Sequence, residues 1–359
     1  MGYVSPDMYQ HSVSYFLEPL LAHHDPARVE TFCYADVATP DAVTERLQKL
    51  SHHWRSTRPL SDEELYEQIL GDRIDVLVDL TGHTGKNRLQ MFARKPAPLQ
   101  ITYLGYPNTT GLAAMDYRLT DIDADPPGLT EAYHTETLLR LPRCFLCYQP
   151  LSTAPAVLDL PGKTMGRITF GSFNNLPKLT LSVIAVWSQI LHAVPDARLI
   201  LKVRWLEDEP TRQHYLDLFA AQKIPPQRVK LIGMIPDADH HLNFYNNIDI
   251  ALDPFPYNGT ATTCEALWMG VPVITLAGST HVSRVGLSLL NAVGLPELIT
   301  HSHQEYIATA VTLAANREHL ANLRSRLRPQ MAASALCHGM AHAQAVEATF
   351  HTEFSKWNL

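Results

Sequence analysis

No apolar run in this sequence approaches the roughly 20 residues that a membrane-spanning helix needs, so no stretch of it reads as a transmembrane segment. The opening residues also lack a charged stretch followed by an apolar one, the layout of a secretion signal. Basic residues fall short of acidic ones, 29 against 36, and a net charge of −7 gives no general attraction for nucleic acid or an anionic membrane. Cysteine is scarce. Five residues in 359, an odd number, exclude a fully paired disulfide framework and suit reduced thiols in a cytoplasmic compartment. Cys144 and Cys147 form a C-x-x-C pair, but neither a second pair nor histidines at zinc spacing accompany it. The 18 histidines are mostly scattered, and neighbours such as His52 and His53 cannot both face one ion from a helix, so no metal is expected. Low-complexity tracts and solenoid-length repeats are missing too.

What remains is a chain of ordinary hydrophobic content, 46%, too long for one typical core. Its pattern alternates β and α. In the first half, Met1 to Ser5, Val29 to Tyr34, Ile74 to Leu80 and Leu99 to Leu104 read as buried strands. Ser12 to His24 reads as a helix, as does Ser61 to Gly71, which Ser61 and Glu64 open as a capping box. Prolines gather between Asp121 and Pro161 and mark an interdomain connection. Alternation restarts at Ile168, and the chain from Ala308 to His351 reads as helical with a break near Pro329. The expectation is an α/β protein with an N-terminal Rossmann-like domain over 1–155, a second over 156–330 and a helical tail over 331–359, the two domains facing a cleft.

The most informative stretch is Ile248 to Thr275, IDIALDPFPYNGTATTCEALWMGVPVIT. An apolar run ends in Asp253, and a loop follows with Asn258-Gly259 and the hydroxyls of Thr260, Thr262 and Thr263. A helical segment closes at Gly270, and a second apolar run begins at once. Strand, small-residue loop, helix and strand make a parallel β-α-β unit. Its loop brings backbone N–H groups, hydroxyls and the positive end of a helix to one point, which suits a phosphate. Glu265 is expected in the first helical turn, where a carboxylate can accept both hydroxyls of a ribose. A phosphate site one turn from a diol acceptor suggests a nucleotide; a well-capped helix in an ordinary α/β domain is the plainer alternative.

Three further loops follow predicted strands. Asp7 and His11 are spaced to share one proton path, or Asp7 caps the next helix. In Phe173-Asn174-Asn175-Leu176-Pro177-Lys178 a lysine can neutralise a leaving diphosphate without a metal. In 235–241 one histidine of the pair His240-His241 can stack on a base. Together these place a nucleotide on the second half and an acid/base pair on the first, the layout of a nucleotide-sugar glycosyltransferase.

The segments GYVSPDMYQHSVSYFLEPLL, VLVDLTGHTG, RKPAPLQITYLGYPNTTGLAAMDYRLTD, FGSFNNLPKLT and DPFPYNGTATTCEALWMGVPVITLAGSTHVSRVG closely resemble the catalytic region of the protein O-GlcNAc transferases and their Spindly relatives, glycosyltransferase family 41, in a bacterial-type form. The resemblance covers essentially the whole chain. It implies GT-B architecture and an inverting, metal-independent transfer of N-acetylglucosamine from UDP-GlcNAc to Ser or Thr hydroxyls of intracellular polypeptides. The UDP-sugar is then a co-substrate, and no cofactor is expected. UDP-glucose to Asn, GDP-fucose to Ser or Thr, and a non-catalytic UDP-sugar-binding module stay open as alternatives.

By the same resemblance His11 matches the active-site histidine and Asp7 a nearby acidic residue. Lys178 matches the lysine on the diphosphate, with Asn175 the polar position before it. His241 matches the histidine packed on the uracil, and Leu104, Gly105 and Pro107 the segment against the sugar. Thr260 stands where animal members have a histidine, Thr262 matches a phosphate-binding threonine, and Glu265 stands at the acidic position on the ribose; Thr263 completes the threonine loop. Three departures stand out. Ala261 replaces a usual hydroxyl, and His83 and Gly85 replace a Tyr and a Lys. The chain also starts inside the first strand, without the tetratricopeptide domain that family members carry upstream.

Overall fold

The computed structural model describes residues 1–357 and divides the chain into two compact units, one of Met1–Gln149 together with the chain from Ala335 onward, the other Pro150–Ser334. Each is built on one parallel sheet.

The first unit's strands are β1 (Gly2–Ser5), β2 (Phe32–Ala35), β3 (His53–Ser56), β4 (Val76–Asp79), β5 (Leu99–Thr102), β6 (Tyr117–Asp121) and β7 (Thr137–Leu141), in the order β3-β2-β1-β4-β5-β6-β7. All neighbours run parallel, which needs crossover connections and explains why helices such as Ser14–His23 and Asp62–Asp72 intervene. Parallel strands are covered on both faces, so β1, β2, β4 and β5 are apolar runs buried along their whole length. The capping box at Ser61 forms as expected: its hydroxyl accepts the Glu64 amide, and the Glu64 carboxylate accepts the Ser61 amide. Chain order reverses between β1 and β4. Such a switch point opens a crevice at the carboxyl ends of its two strands.

The second unit repeats the plan with β8 (Thr169–Ser172), β9 (Arg198–Lys202), β10 (Val229–Ile232), β11 (Ile250–Leu252), β12 (Val273–Leu276) and β13 (Ile299–Thr300), ordered β10-β9-β8-β11-β12-β13. Its switch point lies between β8 and β11. Gly270 sits at a φ of 73°, ends the helix Ala261–Trp268 and lets the chain turn straight into β12. Among the described residues no helix is long and apolar enough to cross a membrane.

Three expectations need correction. Residues 121–161 are not simply a connection: β7 lies within them as the edge strand of the first sheet, its short apolar run masked by the surrounding prolines. Pro329 does not break the C-terminal helices; it sits inside Arg317–Ala332, and the breaks fall at Asn316 and over 333–338. The last helix, Gly339–Trp357, is part of the first unit rather than a tail apart. It buries Ala343, Val346 and Phe350 there. Its polar side chains find buried partners in the same unit: Glu347 meets His24 Nδ1 at 2.8 Å, and His342 meets the Tyr103 hydroxyl at 3.1 Å.

Candidate active site

The two switch points carry the side chains singled out in the sequence. In the first unit the loop after β1 and the loop after β4 enclose a cavity of about 490 Å³ lined by Pro6, Asp7, Tyr9, His11, Ala38, Thr39, Thr84, Gly85, Lys86 and Gly105. Asp7 does not cap the following helix, whose N-cap position is Val13 with no side-chain bond. It faces the cavity instead. Burial pushes its carboxyl pKa up, opposed by His11 and Lys86. His11 Nδ1 lies 3.8 Å from Asp7 Oδ2 and accepts the Val13 amide at 3.3 Å. That bond leaves the proton of a neutral ring on Nε2, and both side chains line the cavity.

His83, Leu104 and Pro107 lie outside the cavity lining, and Gly105 within it. His83 Nε2 meets the Thr110 carbonyl at 2.7 Å, which ties the loop after β4 to the segment after β5. At Gly105 that segment passes so close to β4 that an added Cβ would lie 1.8 Å from the Leu80 carbonyl oxygen. Lys86, a cation not anticipated from the sequence, stands at a φ of 61° beside Gly85.

In the second unit the loop after β8 meets the loop after β11. Lys178 Nζ donates to the Asn258 carbonyl at 2.7 Å and lies 4.0 Å from the Tyr257 ring centre. Burial pushes its ammonium pKa down to about 8, with Asp253 opposing. Asp253 is itself buried; it accepts the Gly259 amide at 2.6 Å and the Thr275 hydroxyl at 2.7 Å, and so pins the loop's shape. Asn175 is exposed at the loop crest, while its buried neighbour Asn174 joins the two loops by accepting from Thr262 Oγ1 at 3.0 Å. Thr260 takes the N-cap position of Ala261–Trp268 without a side-chain cap, and Thr263 is buried in the first turn. A Cβ at Gly259 would fall 2.6 Å from Thr262 Oγ1 and 2.8 Å from Thr263 Oγ1. The bare backbone there lets hydroxyls and the helix's first amides, which lack partners within the helix, converge on one spot.

Glu265 lies in the second helical turn, not the first, because the helix already starts at Ala261. Its Oε2 meets His241 Nε2 at 3.0 Å and accepts from the Tyr245 hydroxyl at 3.0 Å; Oε1 accepts no hydrogen bond from the described residues. Burial raises the Glu265 pKa, but His241, Tyr245 and Lys202 outweigh it and hold the carboxylate ionised. Behind His241 stands Lys202, 3% exposed, its amine 2.5 Å from Nδ1. Tyr245 and Lys202 were missed in the sequence. The available signal was a lysine closing the apolar run LILKV of a buried strand.

A lysine beside a hydroxyl-rich loop and a buried carboxylate thus sit on one switch point, and a carboxylate with an imidazole on the other. The whole chain matches known proteins. It is 45% identical over 361 residues to a petunia protein named a probable UDP-N-acetylglucosamine–peptide N-acetylglucosaminyltransferase SPINDLY; the match covers 99% of this chain and 39% of that one. The chain therefore spans about two fifths of that relative's length. A lysine-to-methionine mutant of Thermobaculum terrenum O-GlcNAc transferase superposes with a TM-score of 0.91 at 39% identity, over 99% of this chain and 67% of that one. An Anabaena protein solved with UDP and glucose shares the fold at a TM-score of 0.59 and 12% identity, over 98% and 99%. These likenesses and the two parallel-sheet units define the architecture as GT-B. The sequence profile of Glycosyl transferase family 41 matches residues 1–149 and 149–346, and this chain belongs to that family.

Proposed function

We propose that this chain transfers N-acetylglucosamine from UDP-GlcNAc to Ser or Thr hydroxyls of polypeptides, with inversion and without a metal ion. The observation that carries the reading is Lys178 beside the threonine loop, joined through Asn174 to the helix that bears Glu265. The names of the petunia and Thermobaculum relatives support the sugar. In this scheme the second unit holds the donor. Lys178, the hydroxyls of Thr260, Thr262 and Thr263 and the amides of the first helical turn take up charge as the bond from the anomeric carbon to the phosphate oxygen breaks. Glu265 takes the ribose hydroxyls through its free oxygen, and His241 packs against the uracil. The first unit serves the acceptor, whose hydroxyl oxygen bonds to the anomeric carbon on the face opposite the diphosphate. Its proton passes to Asp7 or to the departing phosphate oxygen, while His11 donates a hydrogen bond.

Incubation with labelled UDP-GlcNAc, UDP-glucose and GDP-fucose and a cytosolic extract tests this directly. Label from UDP-GlcNAc is expected in protein, released by alkaline β-elimination and undiminished by EDTA. Label from GDP-fucose alone, label resistant to elimination, or a strict need for a divalent ion would each overturn a stated part.

A further inference from the structure

Lys202 closes β9 inside the second unit, where a buried ammonium is costly unless a partner compensates it. Among the described residues no carboxylate lies within ion-pair distance of it, although the Glu265 carboxylate beyond His241 favours its charge. Its amine lies 2.5 Å from His241 Nδ1 and 4.5 Å from the centre of the Phe173 ring. An ammonium has only donors, so His241 Nδ1 must accept and the ring's proton must sit on Nε2, which then donates to Glu265 Oε2 at 3.0 Å. With the Tyr245 hydroxyl on the same oxygen, the Glu265 carboxylate is held in one rotation, and among the described residues nothing donates to Oε1. A methionine could fill the space between Phe173 and Phe244, but it would release the histidine tautomer.

We propose that Lys202 is a positioning residue for donor recognition: acting through His241, it holds the free oxygen of Glu265 ready for the two hydroxyls of a nucleoside diphosphate's ribose. This rests on the donor reading above. It adds a requirement that a merely structural lysine would not meet, namely that Lys202 controls discrimination at the ribose.

Calorimetric titration of the full chain with UDP and with 2′,3′-dideoxy-UDP tests it. The unaltered protein is expected to bind UDP about tenfold or more tightly than the dideoxy compound, since two hydrogen bonds to a carboxylate are lost. Lys202→Met is expected to weaken UDP about tenfold and leave the dideoxy compound unchanged, so that the ratio collapses towards one. In transfer assays the donor KM rises by a similar factor while kcat stays within about twofold. In a Glu265→Gln background Lys202→Met should change the ratio no further. A Lys202→Met protein that keeps the full ratio, or a further loss in the Glu265→Gln background, overturns the inference. Lys202→Leu, read in the same way, serves if the methionine variant does not fold. Failure of the unaltered protein to bind UDP overturns the donor reading itself, whereas equal binding of both compounds overturns only the ribose role.

Discussion

Lys178→Ala is expected to lower kcat by about 10²–10³-fold, the cost of removing one preorganised donor from developing negative charge. The residue is suited to that task because it is held before substrate arrives: the Asn258 carbonyl fixes its amine, and the Tyr257 ring lies against it. Its charge matters most when the phosphate oxygen departs, so the loss falls on turnover rather than on donor affinity alone. His241→Ala should behave differently. On the proposed reading that ring packs against the base, whose charge does not change, so about a tenfold rise in donor KM with kcat nearly unchanged is expected. Steady-state kinetics on both variants decides the matter, and equal losses in kcat would remove the assigned division of roles. The depressed pKa of Lys178 adds a pH signature. Below about 8 the free protein carries the ammonium; above it the neutral amine predominates, and kcat/KM is expected to fall. A bound diphosphate favours the charged form, so kcat itself should hold further into base.

Gly105→Ala should be the most damaging single methyl group for stability. The added Cβ would lie 1.8 Å from the Leu80 oxygen and 2.5 Å from its carbonyl carbon, both backbone atoms that cannot rotate aside. The segment after β5 would have to lift off β4, at a cost of roughly 3 kcal/mol, or about 6–12 °C in the first unit's melting temperature. Gly85→Ala is the matched control. It also lines the cavity, but its Cβ would meet nothing within 4 Å and its backbone is not left-handed, so its melting temperature should barely move. Scanning calorimetry on the pair would reject the steric account if both melted alike.

The central strands of both sheets were legible because buried parallel strands are plain apolar runs, and the loops singled out follow where those runs break: Ser5 into Asp7, Leu252 into Asp253, Ser172 into Asn174 and Lys178; β3, β6 and β13 were not read as strands. β7 was hidden because an edge strand needs only one short run, here TLLRL among prolines. The contrast between Asn174 and Asn175 could not be read from the chain, since neighbours in a loop differ in burial only once the opposing threonines are in place. Lys202 escaped for a related reason. A lysine at a strand end ordinarily reaches water, and what turns this one inward is a histidine 39 positions away. Glu265 was expected one turn too early because the helix starts at Ala261 behind an N-cap, Thr260, that makes no side-chain cap bond and so leaves no capping signal in the sequence.

The return of Gly339–Trp357 to the first unit has a consequence for biosynthesis. The second unit is continuous in the chain and can fold as soon as it leaves the ribosome, but the first must wait with an unfinished flank until some 190 later residues, Pro150 onward, have been made. During that interval the surface later covered by Val346 and Phe350 is bare, and His24 has no Glu347 to meet. Nascent chains stalled before Gly339 should therefore engage holdase chaperones through their first unit, and those extended past Phe350 should let them go.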